Sequence, residues 1–161
     1  MPLPAYERGL TRRPLAAVPT GMRGSEHSTV VRPESVATVS ALVRSWEFKR
    51  RAGFDVPEGE PSVDREGVLA KRLFGIRFVE PIRVVWADDS GFGYETRPGH
   101  PIYGEESFQI DEQGVFTARS VSRPSSLFWV LMSPALRFLQ RRTHAQYVRI
   151  VQDAAAQPPR S

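Results

Sequence analysis

The chain contains no cysteine. That excludes disulfides, thiolate nucleophiles and cysteine-ligated zinc or iron–sulfur centres, and it gives no support for an oxidising compartment. Lysine is almost absent, with two lysines against twenty arginines. A GC-rich coding sequence produces that bias as readily as a phosphate-binding task does. Long apolar runs are missing too. The densest, Leu127 to Leu131, falls far short of the ~20 residues of a membrane span. Arg8, Arg12 and Arg13 lie near the start, but no apolar core follows them, so the N-terminus does not read as a secretory signal. A cytoplasmic location is expected. At 161 residues the chain is one domain by length. A domain of this size buries roughly 70% of its unfolded surface and needs no staple.

Acidic residues are scarce at the end of the chain. Residues 113–161 carry seven basic and one acidic side chain, residues 1–50 eight and four, and residues 51–112 seven and thirteen. A nucleic-acid binder concentrates positive charge on one face. Here an acidic middle beside a basic tail reads as internal pairing, and no specific nucleic-acid partner is expected.

Residues 1–24 are proline-rich without a sustained period and read as an extended lead-in with some strand character. A single α+β domain is expected over 25–155, then a flexible tail over 156–161. Val36, Val39, Val43 and Trp46 recur at helical spacing over Pro33–Trp46. β character follows. Val68–Val79 alternates as one strand ended by Pro81, Arg83–Ala87 forms a second, and Phe92, Tyr94 and Thr96 mark a third. Glu105–Ile110 and Val115–Val121 pair across the Asp111–Gly114 turn. Strands joined by short turns pair antiparallel. Ser133-Pro134 reads as an N-cap and first helical residue. Leu136, Leu139, Thr143, Tyr147 and Ile150 then form the apolar stripe of a helix of about five turns. The expected fold is a curved antiparallel sheet with an N-terminal helical segment and a long C-terminal helix packed across it.

Three segments carry a family resemblance. They are Leu42-Val-Arg-Ser-Trp46, the glycine-rich run from Gly91 to Glu106, and Ser120-Val-Ser-Arg-Pro124 followed by Leu139-Gln-Arg-Arg142 and Tyr147. Their order and spacing over residues 24–151 resemble the uncharacterised DUF1990 family. Glu95-Thr96-Arg97 stands where that family usually has Gly-Thr-Leu. The helix–sheet–helix order is similar to the helix-grip fold of the START and pollen-allergen superfamily. That likeness implies a site for an apolar ligand between sheet and C-terminal helix, although fold alone does not dictate function.

The segment Gly91–Glu106 is the best site candidate. It gathers Tyr94, Glu95, His100, Tyr103, Glu105 and Glu106 among glycines and prolines. His100 is a candidate acid or base for chemistry near neutral pH. Glu106 shares a strand face with Phe108 and Ile110, so burial is expected to raise its proton affinity and make it a general acid/base. The plainer alternative pairs Glu106 with Arg119 or Arg123 and bonds His100 to the backbone. A metal site of His100, Glu105 and Glu106 is disfavoured, because adjacent strand residues point to opposite faces. No motif calls for a cofactor; Gly91-x-Gly93 lacks the remainder of a dinucleotide fingerprint. Ser122-Arg123-Pro124 reads as a strand end. Arg137, Arg141, Arg142, His144 and Arg149 read as a solvated or internally paired helix face. Leu127–Met132 reads as core or pocket lid, with an exposed dimer surface as the alternative, so a monomer and a homodimer both stay open.

The leading functional expectation is a binding domain for a small apolar or amphipathic molecule. Its cavity is expected to be lined by Trp46, Trp86, Tyr94, His100, Glu106, Phe108, Leu136, Leu139 and Tyr147. The alternatives are a cyclase- or hydrolase-type enzyme using His100 and Glu106, and a protein interaction module.

Overall fold

A computed structural model describes residues 5–157. Six strands form one antiparallel sheet in the order β1-β6-β5-β4-β3-β2. They are β1 (Arg23–Val30), β2 (Glu66–Leu73), β3 (Ile76–Asp88), β4 (Gly91–Thr96), β5 (Ile102–Ile110) and β6 (Val115–Pro124). Between β1 and β2 the chain makes α1 (Val36–Val43) and α2 (Glu47–Arg51), and after β6 it makes α3 (Leu127–Leu131) and α4 (Ser133–Ala156). This is the expected α+β, helix-grip-like arrangement. The core lies between the inner sheet face and the helices. Phe92, Phe108, Phe116 and Ala118 of the sheet meet Val39, Val43 and Phe48 of α1 and α2 and Tyr147, Val151 and Ala154 of α4. Phe48 is the hub, its ring 4.9 Å from Phe108, 5.6 Å from Phe116 and 5.0 Å from Tyr147. Each such side chain contributes roughly 1.5–3 kcal/mol by leaving water.

Several expectations change. The single strand over Val68–Val79 is a hairpin. β2 and β3 pair with Leu73 opposite Ile76, and Phe74 and Gly75 turn the chain at φ 51° and 79°. Two left-handed residues make the tight turn that suits strand twist, but a phenylalanine is not the residue that signals one. Pro81 does not break β3. Its neighbour β4 ends at Thr96, opposite Ile82, so the missing N–H faces no ladder partner there, while the Pro81 carbonyl accepts from Arg97 N–H at 2.8 Å. The strand β1 was not legible. Its Arg-Gly-Ser-Glu-His-Ser-Thr-Val is mostly polar, as befits a sheet edge, and it is held by full pairing with β6.

At the other end, Ser133 does not cap α4. It lies inside the helix and its Oγ donates to the Trp129 carbonyl at 3.2 Å, because α3 already leads in, leaving only Met132 between the two helices. Most of Leu127–Met132 is exposed rather than core. Among the described residues no arginine of the tail pairs with the acidic middle, and only His144 reaches it, at Glu106. Glu95, Asp88, Asp89 and Glu66 pair instead with Arg8 and Arg83, Arg12, Arg44 and Arg97, all of which precede the tail.

Candidate functional site

Between the sheet and α4 lies a cavity of about 110 Å³. Phe54, Leu73, Phe78, Ile102, Leu136 and Leu139 give it apolar walls, and Lys49, Lys71, Glu80, His100, Glu106 and His144 give it charge. The only two lysines of the chain therefore both border it. Their Nζ atoms lie 4.7 and 4.8 Å from the Phe54 ring centre.

Lys49 is the centre of the site. The short helix α2 directs Phe48 into the core and Lys49 after it, and the lysine side chain is 1% exposed. Its Nζ donates to Glu106 Oε2 at 3.0 Å and to Tyr147 Oη at 2.6 Å. The rings of Phe54, Tyr94, Phe108 and Tyr147 surround it at 4.7–5.1 Å, so cation–π attraction replaces part of the lost hydration. Tyr94 Oη donates to Glu106 in a short hydrogen bond, and His144 Nε2 lies 3.4 Å from Glu106 Oε1. Burial pushes the Glu106 carboxyl up, but the Lys49 ammonium, then His144 and Tyr94, outweigh it and hold the group well below the usual carboxylate range. The expected gain in proton affinity is thus reversed, because the fold supplies a cation. That cation is also neither Arg119, which bonds Glu26 at 2.7 Å, nor Arg123. Burial and the Glu106 charge raise both tyrosine hydroxyls far above their ordinary range.

A second group stands at the cavity's edge. His100 is buried. Its Nδ1 accepts from Ile102 N–H at 3.1 Å and its Nε2 lies 3.6 Å from Glu80 Oε2. Lys71 is half-buried. It donates to the Ala52 carbonyl at 2.8 Å and to Gln146 Oε1 at 3.4 Å, and its pKa is lowered by burial and then by the nearby Lys49 charge.

Of the expected lining residues, His100, Glu106, Leu136, Leu139 and Tyr147 border the cavity. Tyr94, Phe108 and Trp46 sit behind its wall in the core cluster. Trp86 is on the opposite face. The β3–β4 register shifts between Val84 and Trp86, which reverses the alternation. The indole lies across Gly93, where a Cβ would meet Nε1 at 2.3 Å, and Arg12 covers it at 5.7 Å. Lys49, Lys71, Glu80 and His144 were missed. The scarcity of lysine was the available signal for the first two. For His144, the spacing 144, 147, 151, 154 runs beside the expected stripe of Leu136, Leu139, Thr143, Tyr147 and Ile150, which also faces inward. The histidine is buried against His27, ring centres 4.7 Å apart, not on the basic surface.

The outer sheet face carries a wider cleft of about 950 Å³ that includes Tyr6, Arg83, Glu95, Trp129 and the far side of His100. Glu95, the one carboxylate among its described lining residues, is held by both Arg83 and Arg8, and Arg97 pairs with Glu66 outside it. Beside it Glu105 is buried, accepting from Gly9 N–H at 2.8 Å and Thr11 N–H at 2.9 Å. The residue therefore fixes the lead-in segment, and Glu105 and Glu106 do face opposite ways. No group of three or more metal-ligating side chains converges among the described residues, and none of the helices among them is long and apolar enough to cross a membrane.

Comparison with solved structures places this fold among helix-grip proteins. Ginseng major latex-like protein 151 from Panax ginseng superposes with a TM-score of 0.56 at 14% identity, over 86% of this chain and 99% of that one. Norcoclaurine synthase from Thalictrum flavum, solved in complex with dopamine and hydroxybenzaldehyde, gives 0.51 at 11% identity, over 86% and 88%. A UPF0548 protein of Deinococcus radiodurans is 31% identical over 97 residues, covering 55% of this chain and 49% of that protein. The chain thus spans about half the length of that curated relative. The pattern described as "Domain of unknown function (DUF1990)" matches residues 5–150, and the chain belongs to that family.

Proposed function

We propose that the protein binds a small apolar or amphipathic molecule between the inner sheet face and α4. One observation carries the reading. A buried lysine–glutamate pair, caged by aromatic rings, forms the polar wall of an otherwise apolar cavity. Relative to a packed apolar core such a pair is costly to keep, whereas a few fixed polar groups in an apolar cavity are what orients a ligand. Glu106, held ionised, then acts as a fixed acceptor rather than as a proton-transferring acid, and His100 orients at the edge with Glu80. The helix-grip neighbours support small-molecule binding, and one was solved with two aromatic molecules bound.

The cavity volume of about 110 Å³ is below the ~300 Å³ of ordinary ligand pockets. In this reading the remaining room comes from the N-terminal half of α4. Leu136, Leu139 and Gln140 there are only half-buried, while Tyr147, Val151 and Ala154 anchor the C-terminal half. Native mass spectrometry of protein from its own host, together with titration of an environment-sensitive apolar dye, tests the proposal. We expect a copurifying small-molecule adduct and saturable dye binding. Leu139→Trp, which fills the cavity, should abolish both without lowering the melting temperature. Dye binding that ignores Leu139→Trp, or no binding of either kind, would refute the assignment.

A further inference from the structure

Six large apolar side chains stand in solvent around the mouth of this cavity. Phe74 and Ile76, at the β2–β3 tip, are 86% and 61% exposed, and Leu127, Phe128, Leu131 and Phe138 are 77%, 61%, 75% and 61% exposed. The two groups are spatial neighbours. Leu73 and Phe78, on either side of the tip, line the cavity with Leu136 and Leu139, and the Phe78 ring lies 6.3 Å from that of Trp129 on α3. Single exposed apolar residues are ordinary, but a cluster of this kind marks an interaction surface. Phe74 sharpens the point. It holds a left-handed φ of 51°, unfavourable for a bulky side chain, and its ring gains no burial in return.

The unpaired charge around this patch is positive among the described residues, since Asp55 and Glu80 nearby lie against Arg77 and His100. No aspartate or glutamate occurs between Glu112 and Asp153. Arg141 and Arg142 follow Phe138 by three and four residues and so share its helix face. Together with Arg137 they are exposed, and none of the three forms an ion pair with a described residue. Arg72 is exposed next to the hairpin tip.

We propose that this end of the molecule docks on an anionic lipid bilayer. The six apolar side chains enter the boundary between headgroups and acyl chains, and the arginines pair with lipid phosphates. The aliphatic members favour lipid over nucleic acid: Ile76, Leu127 and Leu131 gain from acyl chains but offer no ring for base stacking. A second copy of the chain would set arginine against arginine. Docking presents the cavity mouth to the membrane, so an amphipathic ligand can pass between bilayer and cavity without crossing water. That last step rests on the binding function proposed above; the docking does not.

The test is flotation of the full chain with vesicles of phosphatidylcholine alone and of phosphatidylcholine mixed equally with phosphatidylglycerol, at two salt concentrations. Three arginines near a charged surface, at about fivefold each, give a preference for the anionic vesicles on the order of a hundredfold, which falls as salt rises. The triple variant Phe74→Asn/Leu131→Ser/Phe138→Ser changes only exposed positions. It should lose vesicle binding while keeping its melting temperature and its cavity-dye binding. Arg141→Gln/Arg142→Gln should reduce the anionic preference by roughly twentyfold or more. Equal binding to both vesicles, no binding, or a triple variant that still floats overturns the proposal. So does a concentration-dependent dimer in sedimentation that the triple variant dissolves while vesicles bind neither protein; the surface then belongs to a second copy. Because dye binding to the cavity is read separately, the docking and the ligand site can fail independently.

Discussion

Lys49 and Glu106 show how much one buried pair can decide. Neither residue is comfortable alone at its position, since Lys49 is 1% exposed and Glu106 faces the cavity. Removing either partner leaves the other charged and uncompensated, which costs about 3–5 kcal/mol. We therefore expect Lys49→Met and Glu106→Gln each to destabilise by that amount in denaturant titrations. The double variant Lys49→Met/Glu106→Leu should be markedly less destabilised than their sum, because no orphan charge remains. The same pair sets a pH dependence. The folded Glu106 carboxyl titrates below its unfolded value of about 4.3. Its contribution is thus complete above that pH and is lost as pH falls toward and through the lowered folded pKa. His27, whose pKa burial and His144 lower, loses stability in the same direction from near its ordinary value of about 6.5. Thermal melts against pH should show both declines in the wild type and only the upper one in Glu106→Gln.

At the scale of elements, α4 is two helices in one. Its C-terminal part is fixed by Tyr147, Ile150, Val151 and Ala154, and by Ser35 Oγ donating to the Ala155 carbonyl at 2.8 Å. Its N-terminal part presents only half-buried residues to the cavity and follows the exposed α3. Local opening follows the density of buried contacts. Amide exchange should therefore be faster over 136–142 than over 147–154, and a bound ligand should slow the first segment selectively. Uniform protection along the helix would contradict this division. The alternation that was read from sequence located β4, β5 and β6 because their inner residues are large and apolar. It failed over β2 and β3, where a phenylalanine takes the turn and the proline meets a strand that has ended. It failed again at β1, whose stability is borrowed from its partner rather than carried by its own side chains.

At the scale of the whole molecule, the architecture was legible because a long amphipathic helix needs a sheet to cover and the turns permit only antiparallel pairing. The site was half-legible. Glu106 and Tyr147 lie on regular elements whose faces can be counted, so their meeting at one cavity follows from periodicity, while His100 reaches the cavity from the connection between β4 and β5. The place of Lys49 does not follow from periodicity, since α2 is a five-residue helix whose direction is set by packing. A charged residue among Arg50 and Arg51 reads as surface until the fold turns it inward. The charge distribution also organises globally: among the described residues the arginines that pair with carboxylates all precede α3, leaving Arg137, Arg141 and Arg142 of α4 as a cationic end.

The shift between Val84 and Trp86 has a consequence for how this strand can change over evolutionary time. It is a half-step in phase, letting one continuous strand serve two surfaces with different clients: Val84 for the cavity side, Trp86 for the lead-in segment under Arg12. Substitution at either position is a local matter, but straightening the bulge at constant length would set Trp86 opposite Phe92, driving an indole toward the core and stripping Arg12 of its platform. Phase, more than composition, is what this stretch of the chain has to preserve.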